Sequence, residues 1–203
     1  MRNINKGEPH GAIQEFLRQQ EWTMSQNHHR IWREIILSTE QYGISGYTEA
    51  PLRIDDSHID HFYKRSLFRD RVHLWNNLIV DTIDETYGAK YKDKCVRTSE
   101  DNIRLINPVT EDPHCFFKYK VDGRIAPMDS LEEAEKTRAE YTIDTFNLNE
   151  SSLVERRKTL LALCDTYGDA SLEQLLDWLK SYGFPSVIEQ MYNESKLYDD
   201  KEK

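Results

Sequence analysis

Helical sequence patterns follow one another from Ser130 to the end of the chain. Apolar residues recur there at intervals of three and four, the spacing that places them on one face of a helix. Ser130 and Glu133 also have the spacing of a capping box. We expect helices at residues 131–145, 150–167, 171–182 and 185–195. This region alone predicts a protein that is mostly helical.

Two further helices are predicted near the beginning of the sequence. The spacing of apolar residues favours one helix over residues 9–21 and another over about 28–41, and Gly43 is a plausible stop for the second. Together with the C-terminal patterns and two short extended regions, these segments predict an α+β fold that is mostly helical.

The extended regions read as hairpins. Turn-forming residues between positions 43 and 59 predict one hairpin, whose second strand lies near residues 57–62. A second hairpin is expected from Phe116 to Ile125, because Asp122-Gly123 is a strong two-residue turn signal between apolar runs.

The composition indicates a soluble protein. No segment approaches the roughly 20 apolar residues of a membrane span. The polar first nine residues lack the apolar core of a secretory signal, so we expect a cytoplasmic location and no membrane contact. Cys95, Cys115 and Cys164 are far apart and form no CxxC pair, which predicts neither a disulfide framework nor a structural zinc site.

Charge is distributed unevenly along the chain. The net charge of −9 argues against a general nucleic-acid coat protein. Residues 61–97, however, contain eight Lys or Arg and five Asp or Glu, a local net charge of +3. A solvated surface would explain this charge by itself, but the residues that precede it suggest a function.

Those residues form the densest group of metal- and proton-binding side chains, Asp55-Asp56-Ser57-His58-Ile59-Asp60-His61. Hydrolysis of a phosphodiester requires a base for water, a divalent cation and positive charge for the phosphates. Histidine suits the first role and a carboxylate the second. The alternative is an ordinary surface hydrogen bond between Asp and His. In a regular strand His58 and Asp60 share a face that His61 does not, so Asp60 and His61 reach one phosphate only at a strand end or a bulge.

The order of several motifs resembles the HNH endonucleases, in particular those associated with retron and Septu anti-phage defence. His58-Ile59-Asp60-His61-Phe62 is similar to the family's His-Ile-(Asp/Glu)-His-Phe core, and Trp75-Asn76-Asn77-Leu78 to its Trp-x-Asn-Leu. The similarity continues through the segments Ile106–Pro113, Phe117–Ile125 and Ala139–Arg157.

The resemblance implies a small ββα-metal core and hydrolysis with one metal ion, Mg²⁺ or Mn²⁺. It implies that His61 is the general base, that Asp60 is a metal ligand and that Asn77 orients His61. The basic residues that would hold phosphates are Lys64, Arg65, Arg69, Arg71 and Lys90. The corresponding regions are N-terminal helices at 1–43, the nuclease core at 44–128 and a helical region at 129–203, all within one compact unit.

The chain departs from the family at the zinc-binding cysteines. Ser45-Gly46-Tyr47-Thr48-Glu49 stands where Cys-x-Tyr-Cys-Glu would, and the second pair falls near Thr82 and Thr86. We therefore expect no structural zinc, and packing by Tyr47, Leu52, Ile54, Phe62 and Trp75 in its place.

A second departure concerns the third position of the HNH motif. Tyr87, a poor Mg²⁺ ligand, aligns there. The remaining metal ligand is then to be sought among His58, Asp56, Asp81, Asp84 and Asp93, with His58 preferred.

Two functions follow from the resemblance. The first is an endonuclease effector that cuts DNA, or RNA such as tRNA, when assembled with an ABC/SMC-like ATPase of the same defence operon. Retron versions imply a reverse transcriptase and its multicopy DNA–RNA as further partners. The second is a catalytically degenerate adaptor that binds the ATPase or nucleic acid without cutting. We expect Glu111, in the Glu-Asp-Pro segment, to be structural in either case.

Overall fold

The computed structural model describes residues 1–9, 11–18 and 26–199, and every structural statement below concerns these residues. They form an α+β fold that is mostly helical, as the sequence predicts. The helices are α1 (Gly11–Leu17), α2 (Gln26–Ile35), α3 (Gly88–Cys95), α4 (Ser99–Ile103), α5 (Glu133–Thr145), α6 (Ser151–Thr166), α7 (Leu172–Leu179) and α8 (Pro185–Asp199). The strands are β1 (Ser57–His61), β2 (Leu78–Thr82), β3 (Phe117–Tyr119) and β4 (Ile125–Pro127).

Strands β1 and β2 form an antiparallel pair followed by α3, which packs against β2. His61, the last residue of β1, lies opposite Leu78, the first residue of β2. Residues 78–81 of β2 are all buried, because apolar clusters cover both faces of the strand. Leu78 and Val80 pack with α2, whereas Ile79 joins the central core. Strand β2, whose two faces are covered by apolar clusters, thus supports β1, the strand that carries the polar residues.

The C-terminal helices are joined to this core through buried polar groups. Arg157 of α6 is 1% exposed and donates hydrogen bonds to the carbonyls of Gly123 and Leu148. The buried carboxylate of Glu49 accepts a hydrogen bond from the backbone N–H of Ser186 at 3.0 Å. These contacts fix α6 and α8 against the β3–β4 hairpin and the turn before β1.

The turn that aligns with the family's first cysteine pair is closed by hydrogen bonds as well as by packing. The Ser45 hydroxyl accepts hydrogen bonds from the backbone N–H groups of Tyr47 and Thr48 and donates one to the Asp81 carboxylate. The other carboxylate oxygen of Asp81 accepts from the N–H of Ala89 at 2.6 Å. One buried carboxylate therefore links this turn to the beginning of α3. Of the five residues expected to pack here, Tyr47 and Phe62 are buried and Leu52, Ile54 and Trp75 are half-buried.

Most of the predicted elements are present. The helices expected at 150–167, 171–182 and 185–195 correspond to α6, α7 and α8, and the hairpin around Asp122-Gly123 is β3–β4. The first helix is shorter than expected, and residues 10 and 19–21 of that prediction lie outside the described ones. A π-helical turn, Ile36–Glu40, continues α2 up to the predicted stop.

Two predictions are wrong. Ser130 does not cap α5, which begins at Glu133 without a side-chain cap. The strand expected near 57–62 exists, but its partner is β2, and the segment before it contributes only the isolated bridge between Ile44 and Pro51. Helix α4, whose capping box is formed by Thr98 and Asp101, is an element that the sequence patterns did not predict.

Among the residues that the structure describes, no helix combines the length and the apolar character that crossing a membrane requires.

Candidate active site

A polar cleft of about 690 Å³ opens beside β1, between the loop that follows this strand and α3. It brings together seven of the nine residues that the sequence singled out, namely His58, Asp60, His61, Lys64, Arg65, Arg69 and Lys90. Its other lining residues are Ile59, Ser66, Val72, His73 and Asp93. Asn77 and Arg71 do not line it. Because the strand ends at His61, neighbouring side chains of opposite strand faces both reach the cleft.

The imidazole of His61 is anchored through one of its nitrogens. Its Nε2 lies 3.0 Å from the backbone carbonyl oxygen of Val72. A carbonyl only accepts hydrogen bonds, so Nε2 carries the proton in this contact and Nδ1 holds the lone pair of the neutral ring. Burial lowers the pKa of His61 to about 4, so the ring is neutral at physiological pH. A neutral imidazole in a fixed tautomer has the properties of a general base.

Asp60 is buried and binds a buried lysine. Both the Lys92 ammonium and the Tyr47 hydroxyl donate to its Oδ2, each at 2.6 Å, and Lys92 also donates to the carbonyl of His61 at 3.0 Å. Burial by itself would raise the pKa of Asp60, but the charge and hydrogen bond of Lys92 outweigh it and hold that pKa below its usual value. The second oxygen, Oδ1, accepts no hydrogen bond from the described residues.

His58 lies two residues before Asp60 on the same face of β1. Its Nδ1 is buried and has no hydrogen-bond partner within the described parts of the chain. Burial lowers the pKa of His58, because it disfavours the charged form of the ring. A buried polar atom without a partner is uncommon, so Nδ1 of His58 is a candidate ligand atom.

The side chain of Asn77 forms its hydrogen bonds with the loop after β1. Its Oδ1 accepts from the N–H of Tyr63 at 2.7 Å, and its Nδ2 donates to the carbonyls of Tyr63 at 3.2 Å and Arg71 at 2.8 Å. These bonds fix the loop immediately before Val72, whose carbonyl holds His61. Asn77 therefore positions His61 through the backbone.

The basic residues divide into two groups. Arg65 and Arg69 are exposed, Lys90 is half-buried, and in the described portion of the protein none of the three forms an ion pair. Lys64 instead donates to the carbonyls of Asp93 and Val96, at the C-terminal end of α3. The guanidinium of Arg71 stacks 4.1 Å from the ring centre of Tyr63, outside the cleft. Arg65, Arg69 and Lys90 are thus the cations best placed for an anionic ligand.

The donors in the cleft fit one hard divalent cation with few protein ligands. Asp60 Oδ1 and His58 Nδ1 point to no other partner among the described residues, and the carboxylate of Asp93 lines the same cleft. No group of three His, Cys, Asp or Glu side chains with metal-binding geometry occurs in residues 1–9, 11–18 and 26–199. Mg²⁺ suits such a site, because it keeps several waters and takes one or two carboxylates together with substrate phosphates.

Four residues lie outside the cleft. Three of them are possible metal ligands from the sequence analysis, and the fourth, Tyr87, aligns with the third position of the HNH motif. The two carboxylate oxygens of Asp81 accept hydrogen bonds from the Ser45 hydroxyl and the Ala89 N–H, and burial raises the pKa of Asp81 to about 7. Tyr87 precedes α3 and packs against the apolar cluster of the C-terminal helices. Neither residue lines the cleft, nor do Asp56 and Asp84.

Sequence reasoning missed four residues of this site. Lys92 looked like one of several lysines in a basic stretch, and Val72 acts through its backbone, so neither gave a side-chain signal. His73, which belongs to none of the motifs that the sequence singled out, lines the cleft. Tyr47 was predicted only to pack, although its hydroxyl also binds Asp60.

Glu111 lies away from the cleft. Its carboxylate binds the guanidinium of Arg138 and accepts a hydrogen bond from the N–H of Asn107. These contacts agree with the structural role that the sequence predicts for it.

No protein-family model matches this chain, and no curated protein is significantly similar to it.

Proposed function

We propose that this protein is a metal-dependent HNH-type endonuclease that hydrolyses phosphodiester bonds in nucleic acid. The observation that carries the proposal is the environment of His61. A neutral imidazole with one anchored nitrogen lines a cleft together with Asp60 and the cations Arg65, Arg69 and Lys90. The succession of β1, β2 and α3 also supports it, because the ββα arrangement implied by the motifs has this order of elements.

Each residue then has a distinct part in hydrolysis. His61 Nδ1 takes a proton from the attacking water, while Val72 keeps the ring in the tautomer that can do so. Arg65, Arg69 and Lys90 bind the phosphates on either side of the cleaved bond. Asp60 and His58 would hold Mg²⁺ or Mn²⁺. When bound, this ion neutralises the charge that develops on the phosphoryl group and the leaving oxygen.

The charge of the chain suggests that this activity depends on an assembly. A protein with net charge −9 binds polyanions weakly unless a partner brings them to its basic region. We propose that it is the cytoplasmic effector of a retron or Septu-type defence system, acting with an ABC/SMC-like ATPase. In a retron the complex would also contain the reverse transcriptase and its multicopy DNA–RNA.

Cleavage by the complex co-purified with its neighbouring gene products tests this function. Plasmid DNA, single-stranded DNA and total cellular RNA should be offered with Mg²⁺ or with EDTA. We expect one of them to be cut in Mg²⁺ only, and the isolated chain to cut it poorly. The band pattern then identifies DNA or RNA as the substrate. Equal cutting by the isolated chain would contradict the dependence on partners.

The pH dependence of cleavage should reflect the lowered pKa of His61. Its neutral, active form persists down to about pH 4, whereas an ordinary histidine with a pKa near 6.5 would be about tenfold depleted at pH 5.5. We expect kcat/KM at pH 5.5 to stay within about twofold of its value at pH 7.5. The measurement requires size-exclusion chromatography at both pH values, to establish that the complex stays intact. A tenfold loss with an intact complex would contradict the assignment of His61 as a buried base.

One observation favours the adaptor. The Lys92 ammonium already neutralises Asp60, so the protein does not need a metal ion to stabilise this carboxylate. If the adaptor is correct, His61→Ala leaves assembly and defence intact. If the nuclease is correct, the same variant assembles normally and defence is lost.

A further inference from the structure

Lys92 is placed unusually for a lysine of a nucleic-acid-binding region. It belongs to α3, its side chain is 0% exposed, and its ammonium lies 2.6 Å from Asp60 Oδ2. Its neighbour Lys90 lines the cleft, whereas Lys92 lies behind it and donates also to the carbonyl of His61. Burial of an ammonium is costly unless it is paired and hydrogen-bonded, so this lysine is a specific partner for Asp60.

The pairing changes the charge that a divalent cation meets. The negative charge of Asp60 and the positive charge of Lys92 cancel. Asp93 Oδ1 is also only 3.5 Å from the Lys92 ammonium. The cleft adds the positive charges of Arg65, Arg69 and Lys90. Without nucleic acid, a divalent cation would therefore enter a region of net positive charge, where repulsion opposes the single bond that Asp60 Oδ1 offers.

We propose that Lys92 is an internal counter-cation that keeps divalent metal ions off Asp60 until a nucleic-acid phosphate enters the cleft. This inference rests on the proposed function, since it takes Asp60 as a metal ligand and the cleft as a phosphate site. The phosphate supplies both the missing negative charge and further oxygen ligands, so metal and nucleic acid bind cooperatively. By linkage, each tightens the binding of the other by the same factor.

Binding of Mn²⁺, followed by electron paramagnetic resonance, tests this without reliance on catalysis. The full chain carrying His61→Ala, which prevents cleavage, is titrated with and without a saturating single-stranded oligonucleotide, as DNA and as RNA. We expect the oligonucleotide to tighten Mn²⁺ binding by at least about tenfold. Equal Mn²⁺ affinity with and without both oligonucleotides would overturn the inference.

Variants of Lys92 and Asp60 identify the source of the effect. Lys92→Met removes the charge and keeps most of the side-chain volume, so Mn²⁺ should bind at least about tenfold more tightly without oligonucleotide. Lys92→Arg keeps the charge and should bind Mn²⁺ weakly, as the parent does. Asp60→Asn should bind Mn²⁺ poorly in every condition. If a folded Lys92→Met shows the affinity of its parent, Lys92 is not the counter-cation.

Lys92→Met leaves a buried carboxylate without its partner, so circular dichroism and thermal unfolding must accompany the titrations. If it does not fold, the oligonucleotide dependence of the parent still decides the question. Mg²⁺-dependent cleavage by the wild-type complex separates the two proposals. Cleavage combined with tight, oligonucleotide-independent Mn²⁺ binding overturns only the counter-cation. No cleavage together with no Mn²⁺ binding in any condition overturns both.

Discussion

We expect His61→Ala to lower the cleavage rate of the assembled complex by about 10²–10⁴-fold, the usual contribution of a positioned general base. Alanine removes the ring nitrogen that takes the proton from water but leaves Asp60, Lys92 and the cations of the cleft in place. Binding of nucleic acid should change little, because Arg65, Arg69 and Lys90 provide it. Single-turnover cleavage and an equilibrium binding assay on the same preparation distinguish the two effects.

Glu111→Ala is the matched control for this experiment. Glu111 lies outside the cleft and forms an ion pair with Arg138 at 2.9 Å, so its loss should lower stability without lowering the rate of the folded complex. His61→Ala removes a buried ring and its hydrogen bond to the Val72 carbonyl, so it should lower the melting temperature moderately, and its main effect should be a large loss of rate. A His61→Ala complex that cleaves at the wild-type rate would rule out His61 as the base.

The second large effect is expected from Asn77→Ala, on stability and on cleavage together. The substitution removes three hydrogen bonds from a side chain that is 1% exposed and leaves the N–H and the carbonyl of Tyr63 unpaired, whereas the Arg71 carbonyl keeps the hydrogen bond that it accepts from the N–H of Leu74. We expect a loss of about 2–4 kcal/mol in the free energy of unfolding, since buried unsatisfied groups cost about 1–3 kcal/mol each and some reach water here. Urea denaturation of the isolated chain measures this loss.

The same substitution should also slow cleavage, because the loop that it releases carries the Val72 carbonyl that anchors His61. Asn76→Ala is the control: Asn76 is the exposed neighbour on the same turn, and its loss should change stability by less than about 0.5 kcal/mol. Should Asn77→Ala prove as stable and as active as Asn76→Ala, then Asn77 does not hold this loop.

The helices and the second hairpin were predictable from the sequence, because their signals are local. Apolar spacing identified α6, α7 and α8, and Asp122-Gly123 identified the turn between β3 and β4. Each depends on residues within a few positions of one another. The capping box assigned to Ser130 was wrong because the spacing of a motif does not determine whether the helix begins there.

The partner of β1 was not predictable in the same way. Two segments were available to pair with β1, the one that precedes it and β2, which follows it. The choice depends on which of them is covered by apolar residues on both faces. Part of that coverage comes from α2 and α5, which are distant from β2 in sequence. Strand pairing is therefore decided by tertiary packing.

For the candidate site, the sequence by itself determined which residues are close, since six of the seven candidates that line the cleft lie in β1 or the loop that follows it, and Lys90 is the one that comes from α3. Only the tertiary structure decided what they do. It buried Lys92 against Asp60, directed Asn77 to the loop carbonyls and used the carbonyl of Val72 to fix the tautomer of His61. The physical reason is that a side chain's charge state and hydrogen-bond partners depend on burial, and burial is produced by segments that meet only in the folded chain.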